Sequence, residues 1–146
     1  MAQLVREIMI EATPETIWPF LTEPDRLVEW HGTVAEIDPR PGGIYRVFVA
    51  GQHQSAGEYV EVVRPEKVVF TFGWEEPRHG IPPGSTTVEI TLHREGDKTR
   101  VRLVHSGLPD DALADHGHGW ALYLERLAVR VSGGDPGPDR GSASES

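Results

Sequence analysis

The chain of 146 residues contains no cysteine. That single absence excludes disulfides, thiolate metal sites and cysteine nucleophiles, and it fits a reducing compartment. Long apolar runs are also missing. No stretch approaches the roughly 20 residues of a membrane span. The first ten residues, with Arg6 and Glu7 among them, lack the apolar core of a secretion signal. Basic residues are few: 14 Lys and Arg face 23 Asp and Glu, for a net charge of -9. Such a chain repels phosphate backbones, which argues against a nucleic-acid partner. No basic amphipathic stretch points to a membrane surface. There is no Gly-x-Ser-x-Gly and no glycine loop of the phosphate-cradling kind. The expectation is a cytoplasmic protein with no cofactor, no metal, no nucleic acid and no membrane.

What is present is one domain's worth of alternating pattern, long enough to bury about two-thirds of its unfolded surface. Gln3 to Ile10 alternates apolar and polar residues and predicts a strand. Thr13-Pro14-Glu15 then opens a helix, with Thr13 as N-cap and Pro14 in the first turn, and Pro24 ends it. A short second helical turn is expected between Asp25 and Trp30. Strands follow over Thr33–Asp38, Ile44–Ala50, Ser55–Val63, Val68–Trp74, Thr86–Arg94 and Thr99–His105. Between them lie turn compositions: Pro39 to Gly43, Gly51-Gln52, and Arg64 to Lys67, where Pro65 suits the second position of a type I turn. A Pro- and Gly-rich loop runs from Glu75 to Ser85, and Glu95 to Lys98 joins the last hairpin. Pro109 to Ser132 reads as a long amphipathic helix, with acidic Asp110, Asp111 and Asp115 at its start and Arg126 and Arg130 at its end. Its stripe of Gly117, Trp120, Ala121, Leu124, Leu127, Ala128 and Val131 needs a cover, and Gly133-Gly134 stops it. Residues 133–146 hold nothing apolar beyond Ala143 and are expected to form a disordered tail. Runs of strands beside segregated helices make an α+β domain.

Six local motifs carry a resemblance. They are Ala12-Thr13-Pro14-Glu15-Thr16-Ile17-Trp18, then Trp30-His31-Gly32, then Arg40 through Arg46 with its Pro41-Gly42-Gly43. Gly57-Glu58-Tyr59-Val60 follows with Pro65 through Thr71, then His105 through Pro109, and last Gly119 through Leu127. In this order they resemble the START-like superfamily, whose helix-grip fold is shared with the birch-pollen allergen. Within it they are similar to the family named for the C-terminal domain of the heat-shock-protein-90 ATPase activator. The likeness spans roughly residues 4–131, and it departs at Thr33, where relatives commonly carry proline. It implies a curved antiparallel sheet wrapped around the long C-terminal helix, two short helices after the first strand, and a cavity between sheet and helix. On that reading residues 1–132 are the START-like domain.

With a cavity expected, the candidate ligand-binding residues are Trp30, Tyr45, Val47, Phe70, Phe72, Trp74, His105, Gly117, Trp120 and Leu124. For the aromatic residues, core packing and pocket lining both stay open, since large rings under a helix often just fill space. Alternation places His105 on the inner face with Val101 and Leu103. A buried imidazole needs partners or a polar cavity, so a core histidine and a ligand contact both remain open. Asp115, His116 and His118 invite a metal, but a helical zinc pair needs spacing of three or four, so they read as solvated helix surface. Glu36 with Asp38, and Glu89 with His93, read as solvated strand faces.

The reading is non-catalytic binding of a small, largely apolar ligand between sheet and C-terminal helix, by a monomer or homodimer. One alternative is a polyketide-cyclase-like or hydrolase-like enzyme using His105. The other is a chaperone-interaction domain. That one rests on the family name and would lead one to expect a further N-terminal domain.

Overall fold

Inward–outward alternation is clearest in three of the strands, over 44–49, 86–93 and 98–105. The computed structural model describes residues 2–49, 53–76 and 80–137. The order is β1 (Ala2–Ile10), α1 (Pro14–Thr22), α2 (Pro24–Leu27), β2 (Val34–Ile37), β3 (Ile44–Val49), β4 (His53–Val63), β5 (Lys67–Phe72), β6 (Thr86–Glu95) and β7 (Lys98–Leu108). A 3-10 turn (Asp110–Ala112) and helix α3 (Leu113–Val131) follow. The strands form one antiparallel sheet ordered β1-β7-β6-β5-β4-β3-β2. This is the helix-grip fold, with α3 lying against β1 and touching α1. β1 leaves its chain neighbours and pairs with β7, so it closes the edge beside the helix.

Local chemistry sets the element ends. The Thr13 hydroxyl accepts from the Thr16 amide at 3.3 Å and caps α1, and Pro14 stands in its first turn. Along β6, Val88, Ile90 and Leu92 point inward and are buried, and Val101, Leu103 and His105 of β7 face the same way. Together with Ile17, Leu21, Trp30 and Leu127 they form one continuous core.

Three expectations need correction. The terminal helix begins at Leu113, so Asp110 and Asp111 sit in a 3-10 turn that enters it, and Asp115 is the acidic residue of its first turn. Trp74 lies beyond β5 and makes an isolated bridge to Ser55, while Val68, Phe70 and Phe72 keep the inward alternation. The turn after β4 is closed by Glu66 N–H donating to the Val63 carbonyl, with a cis Arg64–Pro65 bond. That puts Pro65 in third position, the type VI arrangement and not type I. The turn expected at Gly51-Gln52 lies outside the described residues, as do Pro77 in the long loop and residues 138–146 of the tail. Residues 133–137 are described. They fold back on α3, where Arg126 donates to the Pro136 and Gly137 carbonyls at 3.1 and 3.0 Å.

Candidate functional site

Between the concave face and α3 the strands turn a set of aromatic side chains inward. Tyr45 comes from β3, Tyr59 from β4, and Phe70 and Phe72 from β5. Tyr45 stacks on Phe70 with ring centroids 3.9 Å apart, and Tyr59 meets Tyr45 edge-on at 5.8 Å. Trp30 and His31 enter from the segment after α2. His31 packs against Trp30, Trp120 and Tyr123 at 5.3, 5.2 and 4.5 Å. At their centre is a void of about 10 Å³, lined by Leu21, Leu27, Trp30, His31, Tyr45, Val68, Phe70, Ile90 and Trp120. That is room for roughly one water molecule. The core is closed around it.

Four of the ten expected ligand residues, Trp30, Tyr45, Phe70 and Trp120, line this void. Val47, Phe72, Trp74, His105 and Leu124 are buried in the surrounding core but do not border it. Gly117 sits elsewhere. It is buried against β1, and a Cβ there would run into the Arg6 guanidinium, whose Nε donates to the Gly117 carbonyl at 3.2 Å. The missing side chain makes room for the Arg6 guanidinium against the helix backbone. Leu21, Leu27, His31, Val68 and Ile90 complete the lining and are not among the candidate ligand residues. Leu27 belongs to a helix of four residues, too short for periodicity to place its buried face.

Polar handles in this core are tied to one another. Trp30 Nε1 donates to the Phe20 carbonyl at 2.8 Å. Trp120 Nε1 donates to His105 Nδ1 at 3.0 Å. With Nδ1 accepting, His105 carries its proton on Nε2 and donates to the Thr86 hydroxyl at 2.8 Å, which donates in turn to the Phe72 carbonyl at 2.7 Å. A second unit repeats this logic: Trp74 Nε1 donates to His116 Nε2 at 3.2 Å, and His116 Nδ1 donates to the Ala112 carbonyl at 3.0 Å. Burial, and then the neighbouring His116, lower the His105 pKa to about 3. His105 is a neutral imidazole at physiological pH.

His116 is therefore a core residue, buried at 7% exposure, and the expected solvated surface is corrected for it. The spacing argument holds in part, because two residues on His118 points outward. Among the described residues no three His, Cys, Asp or Glu side chains gather as a metal site.

The family model described as "Activator of Hsp90 ATPase homolog 1-like protein" matches residues 11–132, nearly the whole described fold. The chain belongs to this family. An AHSA1-like protein from Rhizobium etli, solved in solution, is 38% identical with a TM-score of 0.72, over 94% of this chain and 86% of its own. The Aha1 dimer from Colwellia psychrerythraea is 23% identical with a TM-score of 0.75, over 92% of this chain and 98% of its own. DynU16, a protein of the dynemicin biosynthetic locus, is 21% identical with a TM-score of 0.81, over 94% of this chain and 50% of its own. At those lower identities the likeness is one of fold. No curated protein matches the chain. Among the described residues no helix is long and apolar enough to cross a membrane.

Proposed function

We propose that the protein binds a small, largely apolar molecule without chemistry, between the concave face and α3, with Trp30, Tyr45, Phe70 and Trp120 as the contact surface. The observation that supports this is the aromatic-lined void bordered by side chains of α1, α2, the sheet and α3. In the closed state it is too small for a ligand, so binding requires the cover formed by Leu21 and Leu27 to move outward. Pockets for small molecules are mostly apolar with a few placed polar groups, and this lining fits that description. The occurrence of a like fold in a biosynthetic locus agrees with a small-molecule partner.

The acid–base reading has less support. A catalytic histidine exchanges protons near neutral pH and needs reach to a substrate. His105 has both nitrogens engaged and its pKa pulled down to about 3. No Asp or Glu stands among the buried polar residues described. The family description keeps a chaperone role as the second reading, and the Colwellia dimer keeps monomer and homodimer both in view. Native mass spectrometry of freshly purified protein decides between them. A bound small molecule, displaced by an apolar dye without turnover, is expected. A bare chain that takes up no dye but stimulates the Hsp90 ATPase would reverse the order of the readings.

A further inference from the structure

Among the described residues the indole N–H groups of the aromatic core and the His105 ring have hydrogen-bond partners. Trp30 donates to Phe20, Trp74 to His116 and Trp120 to His105, and His105 passes its own proton bond to Thr86. The Tyr59 hydroxyl does not follow. The residue is 1% exposed, and among the described residues its hydroxyl meets no hydrogen-bond partner. A buried hydroxyl in that state costs stability that phenylalanine in the same place would not, so its presence calls for a physical reason.

Its position supplies one. Tyr59 stands one ring behind the wall of the void. It meets Tyr45 edge-on at 5.8 Å and Phe70 at 6.0 Å, and both of those rings border the void. A ligand larger than one water must displace part of this wall, and Tyr59 is the next ring behind Tyr45 and Phe70. We propose that Tyr59 is the polar anchor of the ligand site, donating its hydroxyl proton to a carbonyl or ether oxygen of an uncharged, otherwise apolar ligand. The inference rests on the pocket reading above and names the ligand class for the same site.

Charge narrows the class further. Burial, and then the field of Asp38, raise the Tyr59 pKa, so the phenol stays protonated and acts as donor. The same negative field repels a carboxylate. Arg126, the buried arginine among the described residues, is turned to the carbonyls of Trp30, Pro136 and Gly137. A neutral oxygen is the acceptor that remains.

Three probes of one skeleton test this by calorimetry: naphthalene, 2-acetylnaphthalene and 2-naphthoate. The wild-type protein is expected to bind the ketone about tenfold more tightly than the hydrocarbon, as one net hydrogen bond would give, with the carboxylate weakest. Tyr59→Phe should bind naphthalene unchanged, lose the ketone preference, and melt at a higher temperature. If Tyr59→Phe keeps the preference, or if the wild type never shows one while still binding naphthalene, the anchor is refuted and the pocket stands. If the wild type binds none of the three, the pocket reading fails and this inference fails with it.

Discussion

At the scale of single residues, His105 shows how a titratable group is spent on structure. It is fully buried, accepts from Trp120 and donates to Thr86, and His116 is a titratable neighbour in ring contact. Its pKa is about 3 in the fold against an ordinary value near 6.5 for an exposed histidine. Between those values the unfolded chain binds a proton that the native state refuses. The stability His105 gives is thus full above about pH 6.5 and declines as pH falls, by up to about 1.4 kcal/mol per pH unit. Urea midpoints from pH 7.5 to 4.5 check this in the wild type and in His105→Gln, which keeps an acceptor and a donor but does not titrate. The wild type should lose stability more steeply on the acid side, since surface carboxylates contribute equally to both. Equal slopes would mean that the imidazole takes up its proton inside the fold.

At the scale of elements, α3 is fixed by three arginines acting on backbone. Arg6 of β1 meets Gly117, so a methyl group there displaces the guanidinium and removes its bond to the Gly117 carbonyl. Alanine regains about 1 kcal/mol of helix propensity over glycine, and a lost hydrogen bond costs a similar amount. Gly117→Ala should therefore change the urea midpoint little by itself. In an Arg6→Met background, where no bond is left to lose, it should stabilise by about 1 kcal/mol. Additive effects in the double variant would show that the contact carries no energy. At the other end, Arg126 is buried at 9% exposure and holds the Trp30, Pro136 and Gly137 carbonyls, while Arg130 holds Gly134 at 3.0 Å and Glu29 at 2.9 Å. Ending the chain after Gly137 should leave the melting temperature within about 1 °C. Ending it after Ser132 strips these carbonyls away and should cost about 1 kcal/mol, or roughly 3 °C at this size. Equal melting of the two truncations would mean that residues 133–137 add nothing. The strands and α3 were legible in sequence because periods of two and near 3.6 survive in local composition. The clamps were not, since Arg6 and Gly117 lie 111 residues apart and Trp74 and His116 lie 42 apart. Their pairing depends on the order of strands in the sheet.

At the scale of the whole molecule, family and fold were readable from six short motifs, but the state of the cavity was not. Pattern assigns residues to the inner face, whereas the volume left between them depends on how Leu21, Leu27 and four aromatic rings interdigitate. That volume is about 10 Å³, so on the pocket reading proposed above a ligand enters only from a minor, opened state. Apparent affinity is then reduced by the fraction of molecules that are open. The weakest cover is α2, a single turn of four residues whose buried side chain is Leu27. Leu27→Ala should destabilise by about 2–4 kcal/mol through the enlarged cavity. It should also bind naphthalene more tightly than the wild type, because the space no longer has to be opened. Saturating probe should then restore part of the melting temperature, as a ligand bound only by the native state does. If Leu27→Ala loses little stability and gains no affinity, α2 has collapsed into the space and the route to the site lies elsewhere. If it loses the full amount yet binds the probe no better than the wild type, opening is not what limits binding. The closed void would then be ordinary core.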